Sequence, residues 1–359
     1  MPEYDIPSQR QHNQLISDHR FTAPAEALRW LIAVQAQDFF GALWALGLRL
    51  PEATLEMVAA AFEDGRILRT HMLRPTWHFV AAEDIRWIQG LTSSRVHQAN
   101  AYMYRQQMLD ARIFARAHTA IAKALEGGRF LTRNELAVEL GRAGIEAEGM
   151  RLAYIVMHAE LETLICSGPR RGAQFTYALL NERAPSKGFA LIGDEAHAEF
   201  TRRYFASRGP ATIRDLAYWS SLTLAQANAG LAAVKSDMSM TRVGDQEYWF
   251  SKVAGPPVPQ HAIAHLLPNY DEYTSSYKER GAIVDEHPAA DLFDYAYTHL
   301  LIIDGLLVGS WRRVIEKTRI RVQTRPIRAF SEQQIALLQH AAQRYESFLG
   351  KEVRLEIPA

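Results

Sequence analysis

Between Thr132 and Leu180 the chain spells out a helix, a turn, a second helix and a hairpin, and the same order returns between Gly209 and Phe250. In TRNELAVEL, Thr132 stands three residues before Glu135, the spacing of a capping box, in which each side chain satisfies a backbone N–H near the other residue. Gly141 and Gly144 interrupt the run that follows. GMRLAYIVMHAELETLI then sets Leu152, Ile155, Val156, Leu161 and Leu164 at helical spacing. ICSG-PRRG-AQFTYALL reads as two β-prone runs around a Pro-Arg-Arg-Gly turn. Helix, turn, helix, hairpin is the winged-helix order, whose second helix is the usual reader of a DNA groove. In the later copy, GPATIRDLAYWS is a helix capped at Thr212, Leu222-Thr223 makes the turn and LAQANAGLAAV the second helix. MTRVGDQEYWF closes it as a hairpin bending at Gly244-Asp245. Two such units in succession are hard to explain by chance.

A longer variant precedes them. Apolar periodicity from Ala23 to Val34 predicts a helix, FFGALWALGLRL another, and TLEMVAAAFEDG a third that Gly65 closes. ILRTHMLRPTWHFVA is the wing, two alternating strands around Leu73-Arg74-Pro75. Residues 83–127 read as connecting helices. After a GPPVPQ linker the pattern changes: HLLPNYDEYTSSYKERGAIV, YAYTHLLIIDGLLVGSWRRVI and KTRIRVQTRPI alternate apolar and polar residues. A helix in SEQQIALLQHAAQRYESFLG and a final strand, EVRLEI, follow. The expected fold is α+β, three tandem winged-helix domains and then a small C-terminal β-barrel or antiparallel sheet. The expected boundaries are 1–115, 116–190, 191–254 and 255–359.

Composition narrows the setting. No apolar run approaches the roughly 18 residues of a membrane span, and the polar start MPEYDIPSQRQHNQ lacks the apolar core of a secretory signal. The single cysteine, Cys166, excludes an internal disulfide framework and a cysteine-built zinc site. A cytoplasmic protein is the default expectation. Formal net charge is zero, with 40 cations against 40 anions, so any nucleic-acid surface must be local rather than global. Only seven of the cations are Lys; the Arg forks suit phosphates and guanine edges, although a GC-rich gene gives the same bias without function.

Several chemistries are absent as motifs: no GxxxxGK[ST] loop, no Gly-x-Ser-x-Gly elbow, no HExxH and no GxGxxG. His261 and His265 have i,i+4 spacing, but their surroundings are strand-like, which disfavours a shared metal. Asp271 and Glu272 would point to opposite faces of a strand, so a cap or a salt bridge suits them better than paired acid–base work. Trp77, Trp87, Tyr102 and Tyr104 are base-stacking candidates, with core packing the plainer role. Arg69, His71, Arg74, Trp77 and His78 gather polar and aromatic groups on the first hairpin, and Arg170 and Arg171 sit at a wing tip, placed for phosphates or simply solvated.

One motif remains, Gln35-Ala36-Gln37. Residues i and i+2 share a side only on extended or irregular backbone; on a helix they diverge by roughly 200°. Either the preceding helix ends here and both amides face one cleft, or they are unrelated polar residues.

The chain resembles the winged-helix DNA glycosylases of the AlkZ family, named for azinomycin resistance, and their YcaQ relatives of interstrand-crosslink repair. The resemblance covers essentially the whole chain and rests on VQAQD (34–38), LRPTWHFVAAEDIRW (73–87), HAELETLICSGPRRGAQFTYALL (158–180), HLLPNYDEY (265–273) and DGLLVGSWRR (304–313). It implies three winged-helix domains and a β-barrel arranged around a channel for duplex DNA, with the family's catalytic Gln-x-Gln at Gln35 and Gln37. The YcaQ branch has Gln-x-Asp, which sets this chain nearer AlkZ; Asp38 is offset by one and takes no carboxylate role. Arg312 and Arg313, in the last motif, join the DNA-contacting candidates. The activity implied is monofunctional hydrolysis of the N-glycosidic bond of N7-alkylated purines in double-stranded DNA, bulky adducts or crosslinks included, with no metal or organic cofactor and no obligate protein partner. Its rivals are a winged-helix regulator or sequestration protein without enzymatic activity, and a protein-interaction scaffold.

Overall fold

The computed structural model describes residues 5–186, 191–252, 262–284 and 299–358. The first third runs α1 (Ile6–Asn13), α2 (Pro24–Trp30), β1 (Ala33–Gln35), α3 (Phe39–Gly47), α4 (Leu55–Glu63), β2 (Ile67–Met72), β3 (Thr76–Ala81) and the long α5 (Ile85–Gln106). Next come α6 (Ala111–Leu125), β4 (Leu131–Thr132), α7 (Arg133–Arg142), α8 (Gly149–Leu161), β5 (Ile165–Ser167), β6 (Thr176–Leu179) and the short α9 (Leu180–Arg183). A third stretch holds α10 (Gly193–Arg208), α11 (Ile213–Ser220), α12 (Leu224–Val234), β7 (Met238–Val243) and β8 (Gln246–Ser251). The chain ends with β9 (Ala264–Leu267), α13 (Glu272–Ser275), β10 (His299–Ile303), β11 (Leu306–Ile315), β12 (Ile320–Pro326), α14 (Glu332–Leu349) and β13 (Val353–Glu356).

Local chemistry sets most of these ends. The box between Thr132 and Glu135 forms, and equivalent reciprocal pairs start α11 (Thr212, Asp215), α12 (Thr223, Gln226) and α14 (Ser331, Gln334). Such a cap contributes about 1 kcal/mol by satisfying donors that helix geometry leaves open. The α+β expectation holds, and the helix–turn–helix–hairpin segments carry those elements in that order. Among the described residues no helix is long and apolar enough to cross a membrane.

Three readings change. The segment from Ala23 to Val34 is not one helix: α2 stops at Trp30, and β1 begins at Ala33. Ile32, fully buried, takes a left-handed φ of 66° between them, a conformation that costs a β-branched residue of the order of 1–3 kcal/mol. NYDEY is no strand either; Asp271 caps α13 through the N–H of Tyr273. The C-terminal sheet, ordered β13-β12-β11-β10-β9, is not wholly antiparallel, because β13 pairs with β12 in parallel. The GPPVPQ linker and His261 lie outside the described residues, as does the start of the YAYTHLLIID strand reading.

Cores cross the linear order. One joins α2–α4 to the C-terminal sheet and α14. A second joins the outer face of the β1-β3-β2 sheet, α5 and the α10–α12 bundle. A third is built mainly from α6, α7, α8 and their small sheet, with Trp77 of β3 and Tyr104 of α5 packed against it. The first core's seam is Trp44 on α3 against Tyr345 and Phe348 of α14, with ring centroids 4.9 Å apart in both pairs. Gly47 admits the Phe348 ring; a Cβ there would collide with it.

Phe348→Ala should therefore lower unfolding free energy by about 3–5 kcal/mol, read as the urea midpoint. Ile315→Ala, 69% exposed on β11, should stay within about 0.5 kcal/mol of the parent. Equal effects would sink this account of the seam.

Candidate active site

The turn at Ile32 delivers β1 to the edge of the three-stranded sheet, where it pairs antiparallel with β3: Ala33 with Val80, Val34 with Phe79, Gln35 with His78. The Ala36 N–H continues that ladder, donating to the Trp77 carbonyl at 2.7 Å. Alternation on extended backbone then separates two faces. Val34 and Ala36 enter the core shared with the C-terminal sheet. Gln35, the last residue of β1, takes the opposite side, and Gln37 lies in the bend just beyond the strand. Gln35 is 8% exposed and Gln37 is exposed. The Gln35 Oε1 accepts from Arg74 Nη2 at 3.2 Å, and the Gln37 Oε1 accepts loosely from the Trp77 N–H at 3.4 Å. Arg74 lies in the β2–β3 turn and Trp77 on β3, so both amides reach toward one hairpin.

Behind β1 lies a buried charge pair. Glu272, fully buried, accepts from the Gln35 N–H (2.9 Å), Arg208 Nη2 (2.9 Å), Trp219 Nε1 (2.8 Å) and Ser276 Oγ (2.7 Å). Burial pushes its carboxyl upward, but the Arg208 guanidinium and the other donors overcome this and hold it at about 2. Arg208 also donates to the carbonyls of Leu31 (2.7 Å) and Ala33 (2.9 Å), so it grips both sides of the strained Ile32. Its guanidinium lies 4.0 Å from the Trp219 ring.

The first hairpin is similarly committed. Arg69 is buried, donates to the Ala36 carbonyl at 3.0 Å, and lies between the Trp77 and Phe175 rings at 4.2 and 4.5 Å. Burial lowers it to about 10, which leaves it charged at neutral pH. His71 packs on Trp77 with centroids 3.8 Å apart and sets Nδ1 2.5 Å from Glu160 Oε2 on α8. Burial pushes the Glu160 carboxyl up while His71 opposes it. His78, fully buried, has Nδ1 3.0 Å from the Thr76 carbonyl and an Nε2 without a partner. Burial, then the Arg74 charge, lowers it to about 3, so the ring is neutral.

The remaining candidates divide. Arg170 is half-buried against the rings of Phe39, Phe40 and Phe175, the last of which it shares with Arg69. Arg313 sits 3.6 Å from Asp38, the α3 cap next to Gln37. Arg171 is held by Glu135 (2.7 Å) and the Phe130 carbonyl (2.6 Å), and exposed Arg312 by Gln323 (2.8 Å); neither touches the glutamine hairpin. Trp87 and Tyr104 are packed in cores, whereas Tyr102 is 60% exposed. Asp271 pairs with Arg49 at 2.8 Å, so both acids of NYDEY are salt-bridged. The sequence pointed to a salt bridge or cap for Glu272 but not to Arg208, Trp219 or Glu160, whose contacts with the site span 53 to 177 residues. Two cavities, of about 710 Å³ between α11, α12 and the β7–β8 hairpin and about 530 Å³ beside Trp311 and Arg325, are lined by neither glutamine.

A family model described as DNA glycosylase AlkZ-like matches residues 28–348. The chain belongs to the AlkZ-like DNA glycosylase family. It is a DNA glycosylase, and DNA is its substrate. The fold is that of the Streptomyces sahachiroi DNA glycosylase AlkZ: TM-score 0.80 at 18% identity, covering 99% of this chain and 98% of that one. No curated protein matches.

Because Glu272 is depressed in the folded state, its stabilisation is fully present above its ordinary value of 4.5 and is lost as pH falls toward 2. A shift of that size corresponds to roughly 3 kcal/mol. Glu272→Gln, which strands a buried guanidinium, should cost about 3–5 kcal/mol at pH 7. Urea unfolding of both proteins should show the gap narrowing below pH 4. A gap unchanged between pH 7 and pH 3 would overturn the ion-pair assignment.

Proposed function

We propose that this glycosylase is monofunctional and hydrolyses the N-glycosidic bond of N7-alkylated purines, bulky adducts and interstrand crosslinks included, with Gln35 and Gln37 at the reacting centre. The observation that carries this is that both amides reach the β2–β3 hairpin, Gln35 from the end of an edge strand and Gln37 from the bend after it, one anchored and one open to solvent. Alkylation at N7 makes the purine cationic, so it leaves as a neutral base without a strong acid. The sugar becomes oxocarbenium-like, and water adds at its anomeric carbon. Gln37, held only by a 3.4 Å contact, turns its carbonyl oxygen to that cation and to the water. Gln35 has its oxygen occupied by Arg74, so it presents an N–H₂ donor that orients the water and the lesion.

An amide is too weak a base to expel an uncharged purine, and this supplies selectivity. The exposure of Gln37 favours an open cleft over a closed base pocket, as bulky adducts require. In this reading Arg74, Trp77, Arg170 and Arg313 face the DNA, Arg171 and Arg312 reach outlying phosphates after leaving their present partners, and Arg69, His71 and His78 hold the hairpin. The division into winged-helix units at 1–115, 116–190 and 191–254, followed by the β-rich residues 255–359, belongs to the same proposal, as does a cytoplasmic site of action.

Base release from a duplex carrying N7-methylguanine is the test. The parent should release the base, and Gln37→Ala should slow release by about 10²-fold or more with its melting temperature kept, because Gln37 is exposed. Release unaffected by Gln37→Ala would refute the assigned residue. A parent that spares N7-methylguanine but excises an uncharged lesion would refute the substrate class.

A further inference from the structure

Away from the glutamines, three helices converge on four titratable side chains. His97 comes from α5, His118 from α6, and His158 with Glu162 from α8 and its C-terminal cap. One nitrogen each from His97 and His158 and one Glu162 oxygen all lie within 4.8 Å of one another. We propose that His97, His158 and Glu162 form a binding site for a divalent transition-metal ion of the zinc type, which ties α5 to α8.

The spacing has a simple origin. His158 and Glu162 are i,i+4 at a helix end, so they stack on one face. His97 meets them across the α5–α8 contact, its Nε2 2.9 Å from Glu162 Oε1. That separation is close to the roughly 3.3 Å between neighbouring ligands of a tetrahedral zinc at 2.0 Å. Glu162 is half-exposed and His97 about one-fifth exposed, so the carboxylate has room to swing inward and an ion has a way in. Two imidazoles and a carboxylate leave a fourth position for water, and this donor set suits Zn²⁺, Co²⁺ or Ni²⁺ better than the all-oxygen sites of Ca²⁺ or Mg²⁺.

The outer contacts set the ligand atoms. His158 Nδ1 is 3.1 Å from His118 Nε2, which leaves Nε2 of His158 as the ligand. His97 Nδ1 is 2.9 Å from the Tyr104 hydroxyl, which leaves its Nε2. A hydroxyl accepts as readily as it donates, so Tyr104 can hold His97 in the Nδ1–H tautomer that metal binding needs. A ligating imidazole almost always has such a partner on its other nitrogen. The His158 ring is further fixed by stacking on Phe114, with centroids 3.7 Å apart.

The site stands apart from the reaction proposed above, and its test needs no DNA. Glu160, two residues from His158, points to the other side of α8 and meets His71; a bound ion would thus brace the helix that holds the hairpin's histidine. Full-length, tag-free protein treated with chelator is titrated with Zn²⁺ alone by calorimetry, and with Co²⁺ alone for the visible d–d bands of a four-coordinate ion. One equivalent should bind with micromolar or tighter Kd, and melting temperature should rise by roughly 3–4 °C at a hundredfold excess over Kd. His97→Ala and Glu162→Gln should each weaken binding at least about tenfold, whereas His340→Ala, on the exposed side of α14, should leave it unchanged. Glu162→Gln sits at a solvent-facing helix end, and its metal-free melting temperature should match the parent, which separates lost binding from lost folding. No saturable binding below about 1 mM, or binding that survives both ligand substitutions, overturns the proposal.

Discussion

The Arg208–Glu272 pair is the interaction on which the geometry of the glutamine strand depends. It is fully dry, and dry ion pairs are seldom a net source of stability, since desolvation consumes most of the attraction. What this pair supplies is position. Glu272 takes the backbone N–H of Gln35, while Arg208 takes the carbonyls of Leu31 and Ala33. A helix end, a left-handed isoleucine and a three-residue edge strand are thereby pinned by groups from α10 and α13. An edge strand otherwise offers unpaired backbone groups and freedom to fray. Here its open edge is occupied, and the strain at Ile32 is outweighed by the contacts on either side.

From that staple the rest of the architecture follows as mutual dependence. α13 follows β9 after a four-residue turn, so Glu272 is placed by the C-terminal sheet. That sheet in turn packs with α2–α4 in one core. Arg208 is placed by α10, whose core includes the other face of the first hairpin. The first unit is therefore sandwiched between distant parts of the chain, and its own hairpin is the shared layer. The α6–α8 core is the more independent body, joined to the hairpin through the buried contacts His71–Glu160 and Arg69–Ser167.

Legibility in the sequence tracked the range of the interactions. The Thr132–Glu135 box, the Thr212 cap, the Gly244-Asp245 bend and the Leu73-Arg74-Pro75 turn are decided within a few residues, and all were readable. The helix drawn through Val34 failed because apolar spacing persists across Ile32, where tertiary contacts force a left-handed φ. NYDEY was read as strand from flanking alternation, and an aspartate cap overrode it. The parallel β12–β13 pairing needs the intervening α14 to run back along the sheet, which no local pattern reveals. At the site, the gathering of Arg69, His71, Arg74, Trp77 and His78 was visible because one hairpin carries them. Their division of labour was not, because exposure decides it: Arg74 meets the Gln35 amide, whereas Arg69 is sealed beneath Ala36. His97 and Tyr104 on α5 meet His158 on α8 more than 50 residues later, a contact that no local pattern reveals.

The charge pattern around the glutamines bears on why amides suffice for the proposed reaction. Three carboxylates lie close by, and each is already engaged: Glu272 by Arg208, Glu160 by His71, Asp38 by the α3 N-terminus and Arg313. His78 is buried with its proton on the side of Thr76, and its depressed basicity keeps it from serving as an acid near neutrality. What faces outward is then an amide oxygen, an amide N–H₂ and the Arg74 cation. Such a set stabilises and aligns but neither protonates a leaving group nor deprotonates water strongly. A bond that needed either kind of help would survive contact with it. A purine already cationic at N7 carries its own driving force for departure, and positioning alone is enough to finish the cleavage.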